Sequence, residues 1–194
     1  MATTTKTRNT NESGSYAGTA VAIGAGVGLA TGLLANFVRK AVVQGPTALA
    51  GDWDEALAAE HKAALGIFDL LEKTTDKQSG RRSFLLMQLK HALGKHAFQE
   101  ENTVYAMMRD QGITEGADHL NHEHGYVKQF LFELTEMERS DPSWLPTLAK
   151  FRTMIEEHMR EEEQELFPRM KAQLSEAQNH HLTVQMNKEG LKLA

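Results

Sequence analysis

One unit is written twice in this chain. His96-Ala-Phe-Gln-Glu100-Glu101 returns 62 residues later as His158-Met-Arg-Glu-Glu162-Glu163. A Glu-His pair precedes each copy, Glu60-His61 by 35 residues and Glu123-His124 by 34, counted histidine to histidine. The apolar register repeats with it. Val104-Tyr105 matches Leu166-Phe167, and Ala64, Ile67 and Phe68 match Val127, Phe130 and Leu131 at an offset of 63. A helical hairpin cannot bury its apolar face alone, so two such hairpins must close on each other. The expectation is an all-α, antiparallel up-down four-helix bundle with four histidines and at least two carboxylates in one core.

Composition narrows the chemistry. At 194 residues the chain can build one substantial core with segments to spare. It has no cysteine, which removes disulfides, thiolate zinc sites and iron–sulfur clusters. The net charge of −5 and the lack of a Lys/Arg cluster give no sign of a nucleic-acid partner. No nucleophile motif, phosphate loop or nucleotide fingerprint is visible.

Five segments are expected. Residues 1–15 are a polar tail rich in Thr, Asn, Ser and Gly. Residues 16–40 contain a 22-residue uncharged stretch, Ala17 to Val38, with Gly24, Gly28 and Gly32 at every fourth position. Such a glycine-zipper helix admits a second backbone closely, which suits membrane association, a soluble homo-oligomer contact or, failing a helix, a flexible tether. Arg39-Lys40 directly after it argues against a cleavable signal, although Ala48-Leu49-Ala50 resembles a cleavage triplet. The expected location is cytoplasmic, with membrane association depending on this segment. Residues 41–51, with Gly45-Pro46 and Gly51, read as a linker.

Residues 52–173 carry the bundle. Its first helix opens on an Asp52/Glu55 capping box and runs to about Lys73. The second covers about Arg81 to Gln111 and stops at Gly112, and the third about Glu115 to Arg139. The fourth starts near Trp144 and reaches at least Phe167, where Pro168 is expected to bend or end it. Residues 174–194 form a helical extension, with a helix over Ser175 to Lys188 lying on the bundle.

Helical spacing sorts the nine histidines. His61 shares a face with Leu57, Ala64, Leu65 and Phe68; His96 with Leu85, Leu89, Leu93, Glu100, Thr103 and Met107. His124 lines up with Val127, Leu131 and Leu134, and His158 with Phe151, Ile155, Glu162 and Leu166. His91, His119, His122, His180 and His181 belong to the surface or rim. Any one inward histidine could be an ordinary hydrogen-bonded core imidazole. The set resists that reading. Two His/Glu pairs at i and i+4 bury carboxylates on stripes without an inward Lys or Arg, at a cost of several kcal/mol each. A metal compensates them most simply, and this donor set suits transition metals.

The candidate ligands are therefore His61, His96, Glu100, His124, His158 and Glu162. If both carboxylates bridge two six-coordinate ions, the six residues fill eight of twelve positions. A shared oxo or hydroxo group fills two more, leaving one open position per ion for a small oxygen-derived ligand.

The order Glu-His, His-x-x-x-Glu-Glu, Glu-His, His-x-x-x-Glu-Glu-x-x-Leu-Phe-Pro resembles the hemerythrin-like, or HHE cation-binding, family over roughly residues 52–170. The resemblance implies a bundle around a non-haem centre of two iron ions, with the four histidines as ligands and Glu100 and Glu162 as bridges. It departs in two places. Oxygen-carrying hemerythrins have a further histidine where this chain has Leu120, and their last carboxylate falls at the Glu163 position, one beyond Glu162. The choice of Glu100 over Glu101, and of Glu162 over Glu163, stays open, the i+4 members fitting a straight helix better. Glu60 and Glu123 are expected behind the ligands or in solvent. Zinc and manganese also suit these donors, so iron rests on the resemblance alone. The expected function is metal binding with binding or consumption of peroxide or oxygen, protective against oxidative stress. A sensing or storage module for iron, oxygen or nitric oxide, without turnover, is the alternative.

Overall fold

The computed structural model describes Met1 and residues 49–194; the expected tail, glycine-zipper helix and most of the linker lie outside the described residues. Lys40–Ala194 forms a unit of its own. Among the described residues there are helices and no strands. None of these helices is long and apolar enough to cross a membrane.

Helix α1 is Trp53–Glu72, entered through Gly51 at φ 124°, with the Glu55 carboxylate accepting from the Asp52 N–H at 3.1 Å. The second rod comprises α2, Ser79–Gln99, a π turn over Glu100–Val104, and α3, Tyr105–Asp110. Gly112 at φ 76° ends it, a conformation that costs glycine nothing. Helix α4 is Thr114–Glu136. The fourth rod comprises α5, Trp144–Glu161, a second π turn over Glu162–Leu166, and α6, Phe167–Lys171. Helix α7, Glu176–Leu193, follows, capped by Ser175. The rods close in a ring: α1 packs on α2 and α5, and α4 packs on α2, α3 and α5.

Pro168 does not end the fourth rod, which runs on to Lys171 with the proline in the first turn of α6. The π turn explains this. Phe167 N–H bonds back to the Glu162 carbonyl, five residues earlier, so the ladder has already slipped by one residue where proline offers no donor.

Two apolar clusters fill the bundle. Around one end lie Trp53, Leu57, Met108, Leu120, Phe167 and Met170. Around the other lie Phe68, Leu89, Leu134, Trp144, Leu148 and Phe151, with Phe151 edge-on to Phe68 at 5.2 Å. His61, His96, His124 and His158 are buried in a polar layer between them. Helix α7 covers one flank, burying Leu182 and Met186 in the first cluster. It holds Trp53 twice: the indole N–H donates to Asn179 Oδ1 at 3.0 Å and the backbone N–H to Thr183 Oγ1 at 3.0 Å.

Candidate metal centre

Each of the four rods brings one histidine to the polar layer, and each imidazole is held at Nδ1 by a carboxylate from a neighbouring rod. Glu60 Oε2 lies 3.1 Å from His96 Nδ1, and Glu123 Oε2 lies 2.8 Å from His158 Nδ1. Glu101 Oε1 lies 3.0 Å from His124 Nδ1, and Glu163 Oε1 lies 2.7 Å from His61 Nδ1. All four clamps sit beside another site residue in the sequence: Glu60 next to His61, Glu123 next to His124, Glu101 next to Glu100, Glu163 next to Glu162. An ionised carboxylate can only accept, so Nδ1 is the donor in each clamp and the Nε2 lone pair is left to take a cation or a second proton.

Those lone pairs converge. His61 Nε2 and His96 Nε2 are 2.8 Å apart. With both Nδ1 atoms already protonated, the two lone pairs repel unless a proton or a cation lies between them. Glu100 Oε2 lies 3.2 Å from His96 Nε2 and 3.4 Å from His124 Nε2. Glu162 Oε2 lies 3.3 Å from His61 Nε2 and 3.4 Å from His158 Nε2. Each carboxylate thus faces one histidine of each hairpin. Both are wholly buried, and Glu100 Oε1, Glu162 Oε2 and His158 Nε2 form no hydrogen bond. Orphaned buried polar atoms of this kind are rare and costly in a protein without an unseen partner.

The π turns make the arrangement possible. At the first, Tyr105 N–H bonds to the Glu100 carbonyl; at the second, Phe167 N–H bonds to the Glu162 carbonyl. On a straight helix, residues i+4 and i+5 from the histidine diverge by about 100°. The widened turn lets both members of each Glu-Glu pair serve the layer. Glu100 and Glu162 enter its centre, while Glu101 and Glu163 reach its rim.

The pairs shape one another's charge. Burial opposes charging His124, but hydrogen bonds to Glu100 and Glu101 outweigh it and raise the imidazole to about 9. His61 and His96 are raised against burial by their carboxylate partners in the same way. Glu100 is driven well below its ordinary range despite burial, by His96 and His124. Burial also opposes ionising Glu60, but His96 and Lys95 bring it down to about 2. These are the directions a site takes when protons occupy the place of a cation.

Two buried residues here escaped the sequence reading. The Tyr105 hydroxyl donates to Glu162 Oε1 at 2.8 Å and lies 3.2 Å from His124 Nε2. Burial, then the charges of Glu100 and Glu162, lift this phenol well above its usual range. The repeat gave a signal, because Tyr105 falls where the other copy has Phe167. Lys95 is the second: its Nζ lies 2.6 Å from Glu60 Oε1, although no inward Lys was expected on these stripes. It stands one residue before His96 and compensates the clamp rather than the central pair. Among the remaining histidines, His91, His122, His180 and His181 are exposed, as is His119, which lies 3.5 Å from Glu123 and 3.4 Å from Glu161. A cleft of about 350 Å³ lined by Lys62, Arg160 and Gln164 reaches His61 and Glu163. A void of about 10 Å³ adjoins His96, His124 and His158 on the side of Leu93, Val127 and Ile155.

The family model for the hemerythrin HHE cation-binding domain matches residues 54–170. The chain belongs to the hemerythrin family. An uncharacterised hemerythrin-like protein of Schizosaccharomyces pombe is 25% identical over 131 residues, covering 66% of this chain and 64% of that relative. No solved structure matches the chain. Membership implies cation binding, and the donor set fits it. Two groups, His61/His96/Glu100/Glu162 and Glu100/His124/His158, each hold their candidate ligand atoms within 4.8 Å of one another. Adjacent donors on one ion sit roughly 3 Å apart at bond lengths of about 2.0–2.2 Å, close to the spacings seen here. The His/Glu cluster sits inside the match; helix α7 lies beyond its end.

Proposed function

We propose that this hemerythrin-family bundle holds two iron ions between its hairpins and binds or consumes a small oxygen-derived ligand such as peroxide. One observation carries the reading: four imidazole Nε2 lone pairs, fixed by four Nδ1 clamps, converge on two fully buried carboxylates with orphaned atoms. His61, His96, Glu100 and Glu162 would hold one ion, and His124 and His158 the other, with Glu100 and Glu162 shared. When bound, such a pair supplies redox chemistry and open positions for a small ligand. The chain's own groups do the rest. The clamps fix ring orientation and raise imidazole basicity. The apolar layers above and below exclude bulk water. The void beside His96, His124 and His158 has room for about one water-sized molecule, and the cleft at His61 and Glu163 offers a wider approach. The Tyr105 hydroxyl donates to Glu162 Oε1 at 2.8 Å at the edge of the same centre.

Elemental analysis of purified protein, with absorption spectra before and after peroxide, tests this. Iron at two per chain, a spectrum that responds to peroxide, and both lost in Glu162→Ala are the expected results. Iron-replete protein indifferent to peroxide and oxygen would leave the chain a metal-binding module without this ligand.

A further inference from the structure

Tyr105 is wholly buried, and its hydroxyl is unusual for where it stands. The equivalent residue of the second hairpin, Phe167, fills its place with a plain ring packed edge-on to Trp53 at 5.1 Å. Packing alone therefore asks for no hydroxyl, and burying one costs a few kcal/mol unless it is used. The phenol oxygen lies 2.8 Å from Glu162 Oε1, 3.2 Å from His124 Nε2 and 3.4 Å from Glu100 Oε2. Those are the spacings expected between neighbouring donors on one ion, roughly 3 Å. The two candidate ligand groups are also unequal. Ligand atoms within 4.8 Å of one another gather His61, His96, Glu100 and Glu162 on one side but only Glu100, His124 and His158 on the other, so Glu162, though shared, is the weaker contributor to the second side. Tyr105 touches two members of the smaller group.

We propose that Tyr105 is itself a metal ligand, its phenol oxygen completing the poorer half of the centre beside His124. This rests on the dinuclear iron reading. Coordination exchanges the O–H bond for an oxygen–metal bond, and the proton leaves to solvent with no change in oxidation state. A ferric ion bound to a tyrosine oxygen gives a visible charge-transfer absorption and resonance-enhanced ring vibrations. Carboxylate and imidazole ligands give neither.

The test uses the full chain, loaded with ferrous iron and oxidised in air. Wild-type protein is expected to show the charge-transfer band and the ring modes. Tyr105→Phe is expected to lose both while keeping its iron content, since phenylalanine already serves at the equivalent position. Tyr126→Phe, at an exposed tyrosine, is expected to keep both signatures. An oxo bridge can absorb but gives no tyrosine ring modes, so iron-replete wild type without those modes, or modes that survive Tyr105→Phe, would overturn the assignment while leaving the dinuclear reading standing. Failure of the wild type to take up iron would remove the dinuclear reading and this assignment together.

Discussion

Carboxylates that never enter the centre of the layer fix the imidazoles that would hold the metal. Glu60, Glu101, Glu123 and Glu163 each fix one imidazole, and a change of such a partner typically weakens metal affinity about 10- to 100-fold. Glu123→Gln is expected to fall in that range, since a glutamine oxygen can still accept from His158 Nδ1 but carries no charge. Glu60→Gln is expected to fall further. It also removes the negative charge facing Lys95 at 2.6 Å in a more deeply buried spot. Chelator competition on the folded variants measures both, and equal losses would contradict the ranking. At this scale the six central residues were legible because His-x-x-x-Glu on an apolar stripe is a statement about one helix face. Which carboxylate clamps which ring was not legible. Glu60 lies next to His61 in sequence yet serves His96 on another rod, a pairing that only the packed bundle determines.

Among the elements, α7 contributes most beyond the family's own boundaries. Its Asn179 accepts the Trp53 indole N–H and donates at 3.3 Å to the carbonyls of Leu174 and Ser175. Asn179→Ala would leave a buried indole donor unsatisfied, at a cost of about 1–3 kcal/mol. The expected outcome is a lower melting temperature by calorimetry with metal stoichiometry unchanged, because α7 contributes no candidate ligand. Loss of metal with the same substitution would mean that α7 holds the site and not only the end of α1. The helix expected over Ser175 to Lys188 is present as α7, which runs on to Leu193, and the four rods follow their apolar stripes. The sequence did not announce the two π turns. Their traces are a doubled Glu-Glu after each histidine and a proline tolerated at 168, and neither distinguishes a widened turn from a straight helix until both carboxylates are seen at work.

Across the whole molecule, a metal held as proposed would displace protons from the Nε2 nitrogens of His61, His96 and His124, and the metal-free and metal-loaded forms would then respond oppositely to pH. In the metal-free chain His124 titrates at about 9 against 6.5 unfolded, and His96 is shifted in the same direction. A raised folded value means the native state holds more protons than the unfolded one between the two values. The associated stability is complete below 6.5 and lost as pH rises through about 9. The metal-loaded chain has no proton at those nitrogens. Its unfolded state binds protons below about 6.5, so stability rises with pH up to that point and then levels off. The two melting curves should therefore separate as pH climbs from 6.5 to 9, with the metal-free protein falling and the loaded one holding. Melting temperatures measured across that window, with and without a chelator, check the sign directly. Parallel curves would mean that the metal does not displace protons from these imidazoles, and the bundle's polar layer would then need another explanation.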